Sequence, residues 1–181
     1  VKTFLAKLWK KLGLPKGMQL WVMRFFQDQF LVGVTGIIFN DKHEVLLFKH
    51  SYRAHAWSLP GGYMKTGEHP REALEREIKE ESGLVVSVDD ALKTRTDREL
   101  ARLDLCYVGV LIGGNFQPTH EVTEYGFFTQ DKLPLLRKNQ VFLIDEGTAA
   151  RQTLSQVIGA ILRACVKQLP PLAGQAKNSA A

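Results

Sequence analysis

Residues 70–83 place five glutamates, Glu72, Glu75, Glu77, Glu80 and Glu81, in one segment bounded by residues that start and stop a helix. Proline suits the first helical position, where its missing N–H would have no partner anyway. Ser82-Gly83 supplies the stop, because glycine adopts the left-handed conformation that commonly ends a helix. Spacing then decides which carboxylates are only solvated charge. With Glu77 at zero and about 100° per residue, Glu81 falls near +40° and Glu80 near −60°. On that wheel Ala73 lies at about −40°, Leu74 at about +60° and Ile78 at about +100°. Glu77 and Glu81 share the arc that should face a core, and Arg71, Glu72, Glu75 and Lys79 are expected on the solvent side.

Carboxylates that point inward need compensation. Two of them ~4 Å apart repel by roughly 4 kcal/mol even at an effective dielectric near 20. Either some stay protonated or cations sit among them. A set of hard oxygen donors without histidine or cysteine suits Mg²⁺, with Mn²⁺ as the second choice. A magnesium site built on few carboxylates keeps positions open for phosphate oxygens, which points to phosphoryl chemistry. Pro60-Gly61-Gly62 precedes the segment and removes side chains where backbone could approach a metal or a phosphate, although a Gly-Gly pair alone more often marks a turn.

The rest of the chain reads as one domain with appendages. Residues 30–39 and 44–50 look like a strand pair joined by Asn40-Asp41-Lys42. A short strand is expected at 57–59, and further strands at 84–88, 103–112 and 125–129. A last helix is expected between 147 and 169, with Leu154, Val157, Ile158, Ile161, Leu162 and Cys165 as its apolar stripe. The expected division is a basic amphipathic helical arm over 1–27, a domain over 28–169 and a disordered tail over 170–181. Cys106 and Cys165 are the two cysteines of 181 residues and fit no paired spacing, so a reducing, cytoplasmic location is expected.

The net charge of +5 belongs to the arm: Lys2, Lys7, Lys10, Lys11, Lys16 and Arg24 precede the first acidic residue, Asp28. From there on, 18 basic residues face 19 acidic ones, so the body has no general basic surface for nucleic acid. No stretch approaches the ~20 apolar residues that span a bilayer, and the arm lacks the uninterrupted apolar region of a signal peptide. Phe4, Leu5, Leu8, Trp9 and Leu12 have helical spacing, and after Pro15-Lys16-Gly17 a second helix is expected at 20–26. Two readings fit: helices packed on the domain with a solvated lysine face, or an arm that contacts a membrane surface or RNA. The first is favoured, because such stripes usually bury in their own protein.

Gly62, Glu68 and the run Arg76-Glu77-Ile78-Lys79-Glu80-Glu81-Ser82-Gly83-Leu84 together resemble the complete signature of the Nudix hydrolases. Trp57-Ser58-Leu59-Pro60-Gly61-Gly62 resembles the usual approach to that box, and the likeness covers roughly residues 30–136. The resemblance implies an α/β fold, an α/β/α sandwich around a mixed β-sheet, with the box as a loop–helix–loop. It implies Glu77, Glu81 and the Gly61 carbonyl as metal ligands, with Glu80 as a further ligand or a water-orienting group. Arg76 would orient the glutamates, and Glu68 would support them from behind. The implied reaction is attack of water on one phosphorus of a nucleoside diphosphate linked to another moiety.

For the general base, Glu121 is preferred over Glu124, with His55 and His120 behind them. For the substrate, Arg53 could hold a phosphate or be a surface arginine, and Trp57 could stack on a base, although packing beneath the catalytic loop is favoured; Phe48 and Tyr52 are ambiguous. Arg95, Arg98 and Arg102 read first as a solvated hairpin, with substrate or dimer contacts second. The proline found beyond the box in ADP-ribose hydrolases has no counterpart, since Arg98, Glu99 and Leu100 stand there. The tyrosine associated with dinucleoside polyphosphate hydrolases and the extended motif of coenzyme A hydrolases are also unmatched. The expected partner is a nucleotide-derived small molecule, with a homodimer as a further candidate. The alternatives are an RNA-processing or RNA-binding factor and a non-catalytic nucleotide sensor.

Overall fold

Strand β1 (Leu31–Phe39) organises the molecule because it is buried on both faces from Gly33 onward. A run such as Val34-Thr35-Gly36-Ile37-Ile38-Phe39 is what a strand covered on two sides requires. The computed structural model describes residues 13, 15–51, 55–98 and 101–168. After α1 (Lys16–Phe26) and β1 come β2 (Val45–His50), β3 (Trp57–Ser58), β4 (Gly61–Tyr63), α2 (Pro70–Ser82), β5 (Leu84–Asp97), β6 (Arg102–Gly114), β7 (Val122–Phe128) and α3 (Lys138–Gln168).

The sheet is mixed. β1 runs parallel to β6 over its whole length, from Leu31 opposite Arg102 to Phe39 opposite Val110. β6 pairs antiparallel with β5. The other edge of β1 is shared: β4 takes Gly33–Thr35, and β2 joins only where Phe39 meets Val45. β2 then carries β3 on one side and β7 on the other. The turn between β1 and β2 forms where expected, with Asn40 Oδ1 accepting from the backbone N–H groups of Lys42 and Glu44.

Alternation along β1 feeds two cores. Val34 and Ile38 pack with Ala73, Leu74 and Ile78 of α2, and Ile37 and Phe39 pack with Leu143 and Ile144 of α3. Leu74 and Ile78 are fully buried, each stabilising the fold by about 1.5–3 kcal/mol. The result is the expected α/β/α sandwich. Lys93 of β5 also reaches Glu146 of α3 at 2.8 Å. Cys106 is buried in the second core, and burial pushes its thiol up to about 11. Among the described residues no helix is long and apolar enough to cross a membrane.

Three sequence expectations change. The last helix starts at Lys138, because Leu143 and Ile144 bury against β1, and the expected stripe beyond it stays open: Leu154, Val157, Ile158, Ile161 and Leu162 are all exposed. Helical α1 is present, but it does not pack on the domain as favoured above, and none of its residues is buried. Arg102 is not a solvated hairpin residue. It is half-buried, ion-paired to Asp104 at 2.8 Å and placed over the Tyr63 ring.

Candidate active site

Local chemistry builds α2. His69 is its N-cap: the ring accepts from the Arg71 N–H, and the Glu72 carboxylate accepts from the His69 N–H at 3.0 Å. Pro70 takes the first position. At the other end the Ser82 hydroxyl donates to the Ile78 carbonyl, and Gly83 turns left-handed at φ 74°. A Cβ on Gly83 would also press on the Asn115 carbonyl at 2.5 Å, so the stop residue needs glycine twice over.

Arg76 is the hub of the site. Its Nε and Nη2 grip the Glu68 carboxylate in a two-point pair at 2.5 and 3.0 Å. Nη1 donates to Glu77 at 2.7 Å and to Glu80 at 3.0 Å, and Nη2 also donates to the Tyr63 carbonyl at 3.1 Å. This fork geometry is what guanidinium offers and an ammonium does not. The network ties the loop after β4 to the second turn of α2. Arg76, expected to orient the glutamates, and Glu68, expected to support them, are thus bonded directly to each other.

Glu68 is held twice, because its carboxylate also accepts from the Lys65 N–H at 2.9 Å. The Arg76 hydrogen bond, helped by that backbone donor, brings its pKa down to about 2. A carboxylate depressed in the folded state contributes stability that is present above its unfolded value and lost as pH falls through its folded value. Acid titration of the wild type should therefore show a loss of stability between about pH 4.5 and about pH 2 that Glu68→Gln lacks. Urea midpoints across that range measure it; parallel curves would reject the pairing.

Glu77 lies against the glycine loop. A Cβ on Gly62 would collide with the Glu77 carboxylate and lie 2.7 Å from its Cγ, so the carboxylate occupies the space a side chain would take. Gly61 sits opposite Thr35 in β4, and the Gly36 N–H donates to the Pro60 carbonyl at 2.9 Å. Glu80 is exposed, and Lys65 Nζ lies 3.5 Å from it. Glu81 is half-buried. Three carboxylates, those of Glu68, Glu77 and Glu80, thus crowd one guanidinium and one exposed ammonium, and the surplus negative charge favours a cation. Among the described residues no three acidic, histidine or cysteine side chains converge as a formed metal cluster; Glu77 and Glu80 instead share Arg76. The donor set itself, oxygen only and one helical turn long, suits a hard divalent ion.

The loop after β6 closes over the end of α2. The Gln117 N–H donates to the Ser82 carbonyl at 2.8 Å, and the Thr119 hydroxyl donates to the Glu81 carbonyl at 3.1 Å. Glu121 follows two residues later and is exposed. Glu124 is spent on an ion pair with Lys49 at 2.8 Å across the β2–β7 register. His120 contributes its carbonyl to Ser51. Trp57 is half-buried, its ring edge-on to Phe128 at 5.1 Å, so it packs under the approach to the loop. Arg53 and Tyr52 lie outside the described residues.

One solvent-side assignment is corrected. Glu75 is half-buried and accepts from the Val88 N–H at 2.9 Å, because β5 runs back along that flank of the helix. Lys65, Tyr63 and Thr119 were missed by sequence reasoning. Tyr63 and Thr119 act through a backbone carbonyl or a loop contact, neither of which leaves a mark in side-chain spacing. A concavity of about 610 Å³ lies away from the glutamates, between Leu92 and Val108 of the sheet and Leu154 and Ile158 of α3.

The NUDIX domain family model matches residues 29–146. An ADP-ribose pyrophosphatase of Methanocaldococcus jannaschii is 34% identical over 111 residues, covering 58% of this chain and 65% of that protein. The mouse 8-oxo-dGDP phosphatase NUDT18 is 37% identical over 73 residues, covering 39% of this chain and 22% of that protein. The chain therefore spans less than two thirds of the length of these relatives. The crystal structure of an ADP-ribose pyrophosphatase from Streptococcus suis superposes with a TM-score of 0.60 at 27% identity, covering 68% of this chain and 92% of that one. With a family model that covers more than half of its residues and a mixed sheet that superposes on a solved relative, this chain belongs to the Nudix family.

Proposed function

We propose that the domain hydrolyses the diphosphate linkage of a nucleoside diphosphate joined to a second moiety. Water adds to one phosphorus, the bridging P–O bond breaks, and a nucleoside monophosphate and the phosphorylated second moiety leave. The observation that carries this reading is the Glu68–Arg76–Glu77–Glu80 network beside Gly62, on a helix whose acidic set is complete. Residues 28–169 are taken as the hydrolase unit.

Glu77, Glu80 and Glu81, with the Gly61 carbonyl, would hold Mg²⁺, or Mn²⁺ in its place. Such an ion supplies charge stabilisation at the phosphoryl oxygens and a more acidic water. Arg76 keeps Glu77 and Glu80 turned toward the loop, and Glu68 fixes Arg76.

Glu121 is assigned the general base, removing the proton from the attacking water. Its loop is anchored on the Glu81 carbonyl, whereas Glu124 already neutralises Lys49. Glu121→Gln is expected to lower kcat by about a hundredfold, the lower end of general-base contributions. Glu124→Gln should change it little. Equal, small losses in both would reject the assignment.

The named activities of the relatives set the substrate panel. ADP-ribose, other nucleoside diphosphate sugars and 8-oxo-dGDP should be compared with Mg²⁺ and with Mn²⁺, following product masses. The absent proline downstream of the box weighs against ADP-ribose as the preferred member of this class. The class is supported if a nucleoside monophosphate and a phosphorylated partner appear together. Turnover of none of the diphosphates, with either metal, would sink it.

A further inference from the structure

Helix α1 stands apart from the two cores that hold the sheet and α2. None of its residues is buried, and only Gln19 and Val22 are half-covered. Trp21 is 69% exposed, Phe25 and Phe26 are each 75% exposed, and Met18, Leu20 and Met23 are open as well. With Met18 at zero and about 100° per residue, Trp21, Phe25, Val22 and Phe26 fall between about −60° and +80°. Lys16 and Arg24 fall at about 160° and 240°, on the other side, which Leu20 and Met23 share at about 200° and 140°. Trp21 stacks on Phe25 with centroids 6.4 Å apart, and Phe25 meets Phe26 edge-on at 5.3 Å, so the rings form one continuous face. Phe30 and Leu31, both 57% exposed, continue apolar surface to the start of β1.

Charge identifies what can cover this face. Residues 1–27 hold six cations and no acid. Two copies joined through their arms would bring those cations together without compensation. A nucleic-acid duplex, whose bases are already stacked inside, would meet the charge but leave Trp21, Phe25 and Phe26 in water. An interface that is apolar inside and anionic outside meets both demands, and that is the headgroup boundary of an anionic bilayer. At 11 residues α1 is about 16 Å long, too short to span the hydrocarbon core. It would lie in the plane of the surface.

We propose that α1 docks the protein on anionic lipid surfaces, with Trp21, Phe25 and Phe26 in the acyl boundary and Lys16 and Arg24 among the headgroups. The inference is independent of the hydrolase reading.

The test is sedimentation of the full chain with vesicles of phosphatidylcholine alone or mixed with phosphatidylglycerol. Expected is association with the mixed vesicles, weakened by salt, and a blue shift of tryptophan emission. Phe25→Ser combined with Phe26→Ser should weaken partitioning by about tenfold or more, while thermal melting and hydrolysis stay as in the wild type. Three results would overturn the proposal. The first is equal sedimentation with both vesicle types, or with neither. The second is undiminished binding by the double variant. The third is a vesicle-free dimer, seen by light scattering, that the double variant converts to monomer, which would assign the face to a second copy.

Discussion

Glu77→Gln should fold normally and lose hydrolysis by about a hundredfold or more, the scale reached when one charge-stabilising group leaves a phosphoryl or acyl site. The amide keeps the shape of the side chain and can still accept from Arg76 Nη1, which lies 2.7 Å from Glu77 Oε1. What it removes is the charge. Because Glu77 sits on a helix whose stability comes from Ala73, Leu74 and Ile78, thermal melting should barely move. Glu81→Gln should behave alike, with turnover lost and the fold kept. Nucleoside monophosphate release at saturating substrate, measured beside thermal melts, checks both. Wild-type turnover in either variant would mean that its carboxylate is not a metal ligand.

The adjacent glycines should fail in opposite ways. In Gly62→Ala the new methyl meets the far end of the Glu77 side chain, which can swing aside. The backbone need not move, so stability should stay near wild type, but the carboxylate is pushed out of register with Glu80 and Glu81. A displacement of about 1 Å in a positioned group can cost about a hundredfold in rate. In Gly61→Ala the methyl meets the Val34 carbonyl oxygen and lies 2.9 Å from Thr35 Cα. Neither can give way without breaking the β4–β1 ladder, so destabilisation of roughly 1–3 kcal/mol or more is expected. Urea unfolding and turnover on both variants separate the two outcomes. A stable Gly61→Ala with full activity would show that β4 is not held against β1 as described.

These two expectations rest on different kinds of information. That Glu77 lies on the inward arc was legible from the helical wheel, since it shares that arc with Ala73 and Leu74, and the spacing from Gly62 to Leu84 already resembled the family's signature. The start and stop of α2 were equally legible, because Pro70 and Gly83 act through local backbone preference. That Gly62 is the cradle of Glu77 could not be read from spacing, because fifteen residues separate them and the sheet brings them together.

Other residues show the same division. Glu75 looked solvated on the wheel, yet β5 passes beside it and offers the Val88 N–H. Arg102 looked like hairpin charge, yet the pairing of β1 with both β6 and β4 places it over Tyr63, and strand alternation sets it on the same face as Asp104. The apolar stripe of α3 and the aromatic face of α1 looked like buried surfaces, and both remain open.

The sequence by itself determined the elements whose causes are local. These are the capped acidic helix, the turn at Asn40, the doubly buried β1 and the composition of the glutamate box. It also placed all the surplus positive charge ahead of Asp28. The tertiary structure alone decided which carboxylates Arg76 gathers, where the Glu121 loop is anchored and whether an apolar stripe finds a partner. The reason is physical. Periodicity records which side of an element is apolar, whereas the neighbour that meets that side is set by strand order and crossover, which bring distant residues together.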